Sequence, residues 1–163
     1  MRQIEQRGLG SLEQRLRELQ RKLAAEGLFD ERLKKPLPAF PRRVAVITSS
    51  TGAAIRDFLE VVRERWQGVD ILIIPTRVQG PAAAGEIARA VQLANQLRPS
   101  YDVLVITRGG GSMEDLWCFN EEQVVRAIVA SHIPVVSAVG HEIDVTLSDL
   151  AADFRALTPT DAA

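Results

Sequence analysis

Short β-branched runs alternate with segments of helical period along this sequence, and this alternation restricts the possible folds more than any other feature. Four runs are apolar almost throughout, as strands covered on both faces are. They occupy residues 44–48, 71–75, 103–107 and 133–138. Between them, apolar residues recur at helical spacing. Repeated βα units with right-handed crossovers predict an α/β fold, a Rossmann-like open parallel sheet with flanking helices.

One amphipathic helix is expected before this pattern. Ser11 and Gln14 have capping-box spacing, and Gly27 is placed to end the helix. Its apolar face would consist of Leu12, Leu16, Leu19 and Leu23. We therefore expect residues 1–42 to form a linker helix with a proline-rich connector, and residues 43–163 to form the α/β domain. Within that domain, residues 121–131 are expected to form a crossover helix and residues 145–154 a closing helix.

Composition favours a cytoplasmic globular protein. The net charge is -1 and the pI is about 6.1. A domain that binds nucleic acid by itself usually has a pI above about 9, so the overall charge does not indicate nucleic-acid binding. We find neither an apolar run long enough to span a bilayer nor a signal-peptide pattern. The lone Cys118 excludes an internal disulfide and is expected to be a buried thiol.

A glycine-rich loop follows the third predicted strand. Arg108 precedes three glycines, Gly109, Gly110 and Gly111, and then Ser112. Bare backbone amides ahead of a helix can bind an anion, and a guanidinium can bind a phosphate oxygen. The alternative is a tight strand-to-helix turn in which Arg108 pairs with Glu114 or Asp115.

A second polar loop follows the fourth predicted strand. It places His141 and Asp144 three residues apart, on one side of a first helical turn if the closing helix begins there. An imidazole beside a carboxylate can exchange a proton near neutral pH. The alternative is a capping or core histidine with Asp144 at a helix N-terminus. Because the carboxyl ends of parallel strands meet at one edge, we expect both loops to contribute to one site.

The loop after the first strand is a third candidate. Ser50 or Thr51 is expected to cap the next helix, and Asp57, in its second turn, could reach the same edge of the sheet. An exposed helical carboxylate is the alternative for Asp57. His141, Glu142 and Asp144 could in principle bind a metal, but neither H-E-x-x-H nor a cysteine pair supports such a site. We expect no metal and no cofactor.

Taken in order, these motifs closely resemble the large subunit of bacterial exodeoxyribonuclease VII. The match spans nearly the whole chain and is far more specific than a glycine loop alone. It is carried by residues 24–30, 46–57, 108–112, 114–117, 138–142 and 158–160. Small departures at Leu157 and Asp161 affect only the end of the domain.

The resemblance implies an enzyme that degrades single-stranded DNA from both ends to short oligonucleotides without a divalent cation. It places the family's catalytic residues at Asp57, Arg108, His141 and Asp144. Residues 43–163 would be the nuclease domain. The family's OB-fold and its C-terminal helical segment, which gathers the small subunits, are expected to be absent from this sequence.

Two other functions are kept as alternatives. The first is a Rossmann-like nucleotide N-glycosidase, whose glycine loop is similar. The second is a non-catalytic module that holds DNA or a partner protein while another subunit cuts.

Overall fold

The computed structural model describes residues 2–109, 111–139, 145–156 and 159–163, and it describes the side chains of all these residues except 2–9 and 159–160. Within these ranges five parallel strands form one sheet in the order β2-β1-β3-β4-β5. The strands are β1 (Arg43–Thr48), β2 (Asp70–Pro75), β3 (Val103–Thr107), β4 (Val135–Ala138) and β5 (Phe154–Arg155). The helices are α1 (Arg2–Ala25), α2 (Ala53–Arg65), α3 (Ala83–Gln96), α4 (Glu122–Ala130), α5 (Leu147–Ala151) and α6 (Pro159–Ala162). The predicted α/β class, parallel sheet and preceding helix are confirmed.

The two faces of the sheet are covered by different helices, because successive strand residues point to opposite sides. On one face, Ala45, Ile47, Leu104 and Ile106 pack with apolar residues of α1, α3, α4 and α5. On the other, Val44, Val46, Val103 and Val105 pack with α2 and with the C-terminal residues Ala162 and Ala163. Burial on both sides explains why the strands are apolar without alternation.

Helix α1 packs against the domain. Leu23 is fully buried, and Leu16 and Leu19 contact the same cluster as α3 and α4. The helix ends at Ala25, and Gly27, the expected stop residue, follows it with a φ of 81°. The Gly27 and Leu28 amides donate to the carbonyls of Ala24 and Leu23, the pattern of a Schellman motif.

The connector after α1 is hydrogen-bonded to residues 150–153, next to the edge strand β5. The Lys34 ammonium donates to the carbonyls of Leu150 and Ala152, each at 2.7 Å. The Lys35 amide donates to Asp153, whose carboxylate also accepts the Val135 amide. No helix in the described ranges is long and apolar enough to cross a membrane.

Two predicted element boundaries are wrong. Helix α1 begins at Arg2 rather than Ser11, because Gly8 and Gly10 each cost a helix only about 1 kcal/mol and do not end it. The closing helix covers only α5, and Phe154 belongs to β5 instead. The Asp153 and Ala156 amides donate to the carbonyls of Val135 and Ser137, so this segment pairs with β4 rather than continuing the helix.

Candidate functional site

A cavity of about 620 Å³ opens at the carboxyl edge of the sheet. It lies where the chain order reverses, since β2 flanks β1 on one side and β3 flanks it on the other. Open α/β sheets bind ligands at such a switch point. The lining comes from the ends of three strands and the start of α2, and consists of Thr48, Ser49, Gly52, Ala53, Ala54, residues 76–79, Arg108 and Gly109.

Arg108 leaves β3 at the edge of this cavity. Its Nη2 donates to Oε1 of Gln79 at 2.8 Å, and its Nη1 donates to the Gly109 carbonyl at 3.3 Å. Neither Glu114 nor Asp115 forms an ion pair with it among the described residues. A guanidinium held by neutral acceptors keeps its charge available to an anion.

The glycine loop leads into a helical turn that Ser112 begins. The Ser112 amide donates to the Asp115 carboxylate, and the Asp115 amide donates to the Ser112 hydroxyl, each at 3.2 Å. The Ser112 amide is therefore already bonded. Gly111 lies so close to Arg108 that a β-carbon there would come within 2.6 Å of Nη1. Gly110 lies outside the described residues.

The predicted cap of α2 is wrong. The N-cap is Gly52 rather than Ser50 or Thr51, and no side chain caps the first turn. The Thr51 hydroxyl lies 3.5 Å from that of Ser49 instead. Ser50 and Thr51 are exposed, and the cavity is lined by Ser49 rather than by either of them. The first amides of α2 consequently have no side-chain partner from the cap, and Gly52, Ala53 and Ala54 line the cavity.

Asp57 is exposed on α2 and does not line the cavity in this structure. It lies four residues beyond Ala53 and three beyond Ala54, both of which do. Residues at these spacings share one face of a helix, and their side chains lean toward its N-terminus. Asp57 is therefore on the side of α2 that leads to the cavity.

His141 and Asp144 lie outside the described residues. The described residues before and after this segment are fixed by hydrogen bonds. The Arg108 amide donates to the Ala138 carbonyl at 3.2 Å, so the end of β4 lies beside the start of the glycine loop. Thr146, the N-cap of α5, forms a capping box with the buried Asp149, which also accepts a bond from the Ser137 hydroxyl at 2.8 Å. Helix α5 begins at Leu147, two residues after the predicted start of the closing helix at residue 145.

The segment after β2 carries no motif that predicts a site, although it supplies four lining residues, 76–79. Its pattern, a polar segment with Gly80 after an apolar strand, resembles that of the loops after β1, β3 and β4. The same strand-end rule, applied to β2, would have found it.

Cys118 lies behind the cavity wall. Its thiol donates to the Val78 carbonyl at 3.4 Å, and burial raises its pKa to about 11 although the nearby charge of Arg108 lowers it. A protonated, buried thiol is structural rather than reactive. Among the described residues, no three His, Cys, Asp or Glu side chains are grouped so that they could hold a metal ion.

Comparison with known proteins identifies the family. A family model described as exonuclease VII, large subunit, matches residues 28–163. The exodeoxyribonuclease 7 large subunit of Rhodopirellula baltica is 56% identical over 163 residues, which is 100% of this chain and 37% of that protein. Those of Cronobacter sakazakii and Streptococcus pneumoniae serotype 2 are 59% and 57% identical, over 96% and 98% of this chain and 34% and 36% of theirs. The chain thus spans about a third of the length of these curated relatives. It belongs to the family of exonuclease VII large subunits.

Proposed function

We propose that this chain is the phosphodiester-cleaving domain of an exodeoxyribonuclease that acts on single-stranded DNA. The observation that carries the proposal is the position of Arg108 in a cavity at the switch point of the sheet, opposite the uncapped start of α2. Both groups favour an anion such as a phosphate. The names of the relatives, exodeoxyribonuclease 7 large subunit, supply the chemistry that such an anion site would serve.

The proposed reaction is the attack of water on phosphorus. A new bond forms between the water oxygen and phosphorus, and the bond from phosphorus to one deoxyribose oxygen breaks. His141, oriented by Asp144, transfers the proton of the attacking water or of the leaving oxygen. Arg108 and the amides of Gly109, Gly110 and Gly111 stabilise the negative charge that develops on the phosphate oxygens. Asp57 orients one of these groups from α2.

Further parts of the proposal rest on the family resemblance, on composition and on the hydroxyl side chains near the loops. Cleavage proceeds from both ends of the strand and needs no divalent cation. The full-length subunit works in the cytoplasm with small subunits, as the name "large subunit" of its relatives suggests.

Ser50, Thr51 and Ser112 are proposed to contact the substrate near the site, although Ser112 would have to exchange its bond with Asp115 for one with a phosphate.

The test is hydrolysis of end-labelled single-stranded DNA in the presence of EDTA. The full-length large subunit assembled with its small subunits is compared with the same assembly carrying His141→Ala. His132→Ala is the matched control, because His132 is the other of the two histidines and is exposed after α4. We expect shortened DNA from the wild type and from the control, and intact DNA from His141→Ala.

The other outcomes are equally informative. Cleavage that persists in His141→Ala would move the chemistry away from this edge of the sheet. Release of a free base from a nucleoside monophosphate would identify an N-glycosidase. DNA that the wild-type assembly binds and never shortens would identify a binding module.

A further inference from the structure

We propose that Gln79 is a positioning residue that holds the Arg108 guanidinium over the cavity. This inference rests on the function proposed above and adds a residue to its site. The bond from Arg108 Nη2 to Gln79 Oε1 is 2.8 Å long and joins residues 29 positions apart. Because β2 and β3 lie on either side of β1, this bond spans the carboxyl end of β1. Both partners line the cavity.

The chemistry of the pair suits a positioning role. A guanidinium can only donate hydrogen bonds, so the oxygen of the Gln79 amide must be the atom that faces it. This acceptor is neutral and leaves the positive charge of Arg108 uncompensated, whereas a carboxylate would form an ion pair. The bonds to Gln79 and Gly109 use two of the five N–H donors of Arg108. Among the described residues, the other three N–H donors of Arg108 form no hydrogen bond, and they can bind a phosphate.

Three hydrogen bonds restrain the backbone of residues 76–78, which lead directly to Gln79. The Thr76 amide donates to the Thr48 carbonyl at 3.0 Å, and the Arg77 amide donates to the Glu86 carboxylate at 2.7 Å. The Val78 carbonyl accepts from the buried Cys118 thiol. An acceptor on so restrained a segment can fix a long side chain such as Arg108, which would otherwise sample several rotamers.

The test compares Gln79→Ala with wild type in the full-length subunit assembled with its small subunits, by steady-state cleavage of single-stranded DNA. We expect kcat to fall about 10- to 100-fold, because a misplaced stabilising group costs that much, while the melting temperature stays unchanged. Gln92→Ala is the control, since Gln92 is exposed on α3 and does not line the cavity. It should retain the kcat of the wild type.

A double-mutant cycle separates positioning from a general structural effect. If Gln79 acts through Arg108, the substitution Gln79→Ala should lower kcat less than about twofold once Arg108 is already replaced by Lys, because coupled residues are not additive. An equal effect in both backgrounds, or wild-type kcat in Gln79→Ala, would overturn the inference. Suppose that the wild type cleaves DNA, that Arg108→Ala abolishes cleavage and that Gln79→Ala leaves it intact. This result would refute the role of Gln79 and leave the proposed function standing. A wild-type assembly that never cleaves DNA would refute the proposed function instead.

Discussion

Gly111 shows how a single residue can control the geometry of the site. A β-carbon at this position would lie 2.6 Å from Nη1 of Arg108 and 3.0 Å from Cβ of Asp115. The requirement for glycine here comes from the close approach of the Arg108 side chain.

Gly111→Ala should therefore impair catalysis more than folding. The guanidinium is the end of a flexible side chain and can move away, which breaks its bond with Gln79. We expect kcat for DNA cleavage to fall about 10- to 100-fold. The loss of stability should not exceed about 1–3 kcal/mol, as for other overpacked sites. Cleavage kinetics and thermal unfolding of the full-length assembly measure the two effects.

Gly10→Ala is the control for this substitution. Gly10 is exposed on α1, and a β-carbon at this position would have no described atom within 4 Å apart from its chain neighbours and the backbone of its own helix. Its replacement should leave kcat unchanged. Wild-type kcat in Gly111→Ala would mean that the observed position of Arg108 is not needed for the reaction.

The reactivity of the Cys118 thiol tests whether this side chain is buried behind the cavity. Burial raises the pKa of its thiol from 9.0 to about 11, so the thiolate fraction at neutral pH should be about 100-fold smaller than in the unfolded chain. The raised pKa adds stability that is complete below pH 9 and is lost as the pH rises toward 11. We expect alkylation by iodoacetamide at about pH 7.5 to be at least about 100-fold slower in the folded chain than in urea. Equal rates would show that the thiol is accessible.

At the scale of elements, α1 is part of the packed structure. Leu23 is fully buried in the main core cluster. Lys22 and Glu26 form ion pairs with Glu122 and Arg126 of α4. These ion pairs are exposed and contribute little, so the apolar contact should account for most of the attachment.

Leu23→Ala should destabilise the chain by about 2–5 kcal/mol, the usual cost of a buried leucine truncation. Leu93→Ala is the matched control, because Leu93 also lies in a helix but is 48% exposed. It should change stability by no more than about 0.5 kcal/mol. Urea unfolding followed by circular dichroism measures both changes. A Leu23 variant as stable as the Leu93 variant would show that α1 does not depend on this contact.

The elements differ in how well the sequence predicts them. The four longer strands and the crossover helices are found because their periodicity extends over many residues, and α4 differs from its predicted bounds by one residue at each end. β5 is missed because it has only two residues and is defined by its pairing with β4, a contact distant in sequence. The cap of α2 is missed because Ser50, Thr51 and Gly52 are all acceptable caps by residue type, and the helix begins only after Gly52. Local preference cannot decide among them.

At the scale of the whole molecule, the topology determines which part of the site can be anticipated. Arg108 and Gly109 are predicted from the rule that strand ends converge, and both line the cavity. Gln79 is not, because a neutral side chain gives no signal and only the strand order places it across β1 from Arg108. The catalytic and binding roles of all the predicted site residues, Arg108 and Gly109 included, remain predictions.

The same topology limits how many charges the cavity offers to DNA. Among the described residues, two arginines, Arg77 and Arg108, line it, and Arg77 also pairs loosely with Glu86 at 3.7 Å. Each phosphate that a cation neutralises on single-stranded DNA contributes about -0.7 to the slope of log K against log salt concentration. Each arginine should therefore account for a defined share of the salt dependence of binding.

Arg108→Ala and Arg77→Ala should each make this slope less negative by about 0.7, whatever the contribution of the rest of the full-length assembly. The measurement is fluorescence anisotropy of a labelled single strand titrated at several salt concentrations, with His141→Ala in every sample so that the strand is not cut. Arg89→Ala is the control, since Arg89 is exposed on α3 and does not line the cavity. An unchanged slope in Arg108→Ala would mean that its guanidinium meets no phosphate, and the charge stabilisation proposed for the reaction would then need another source.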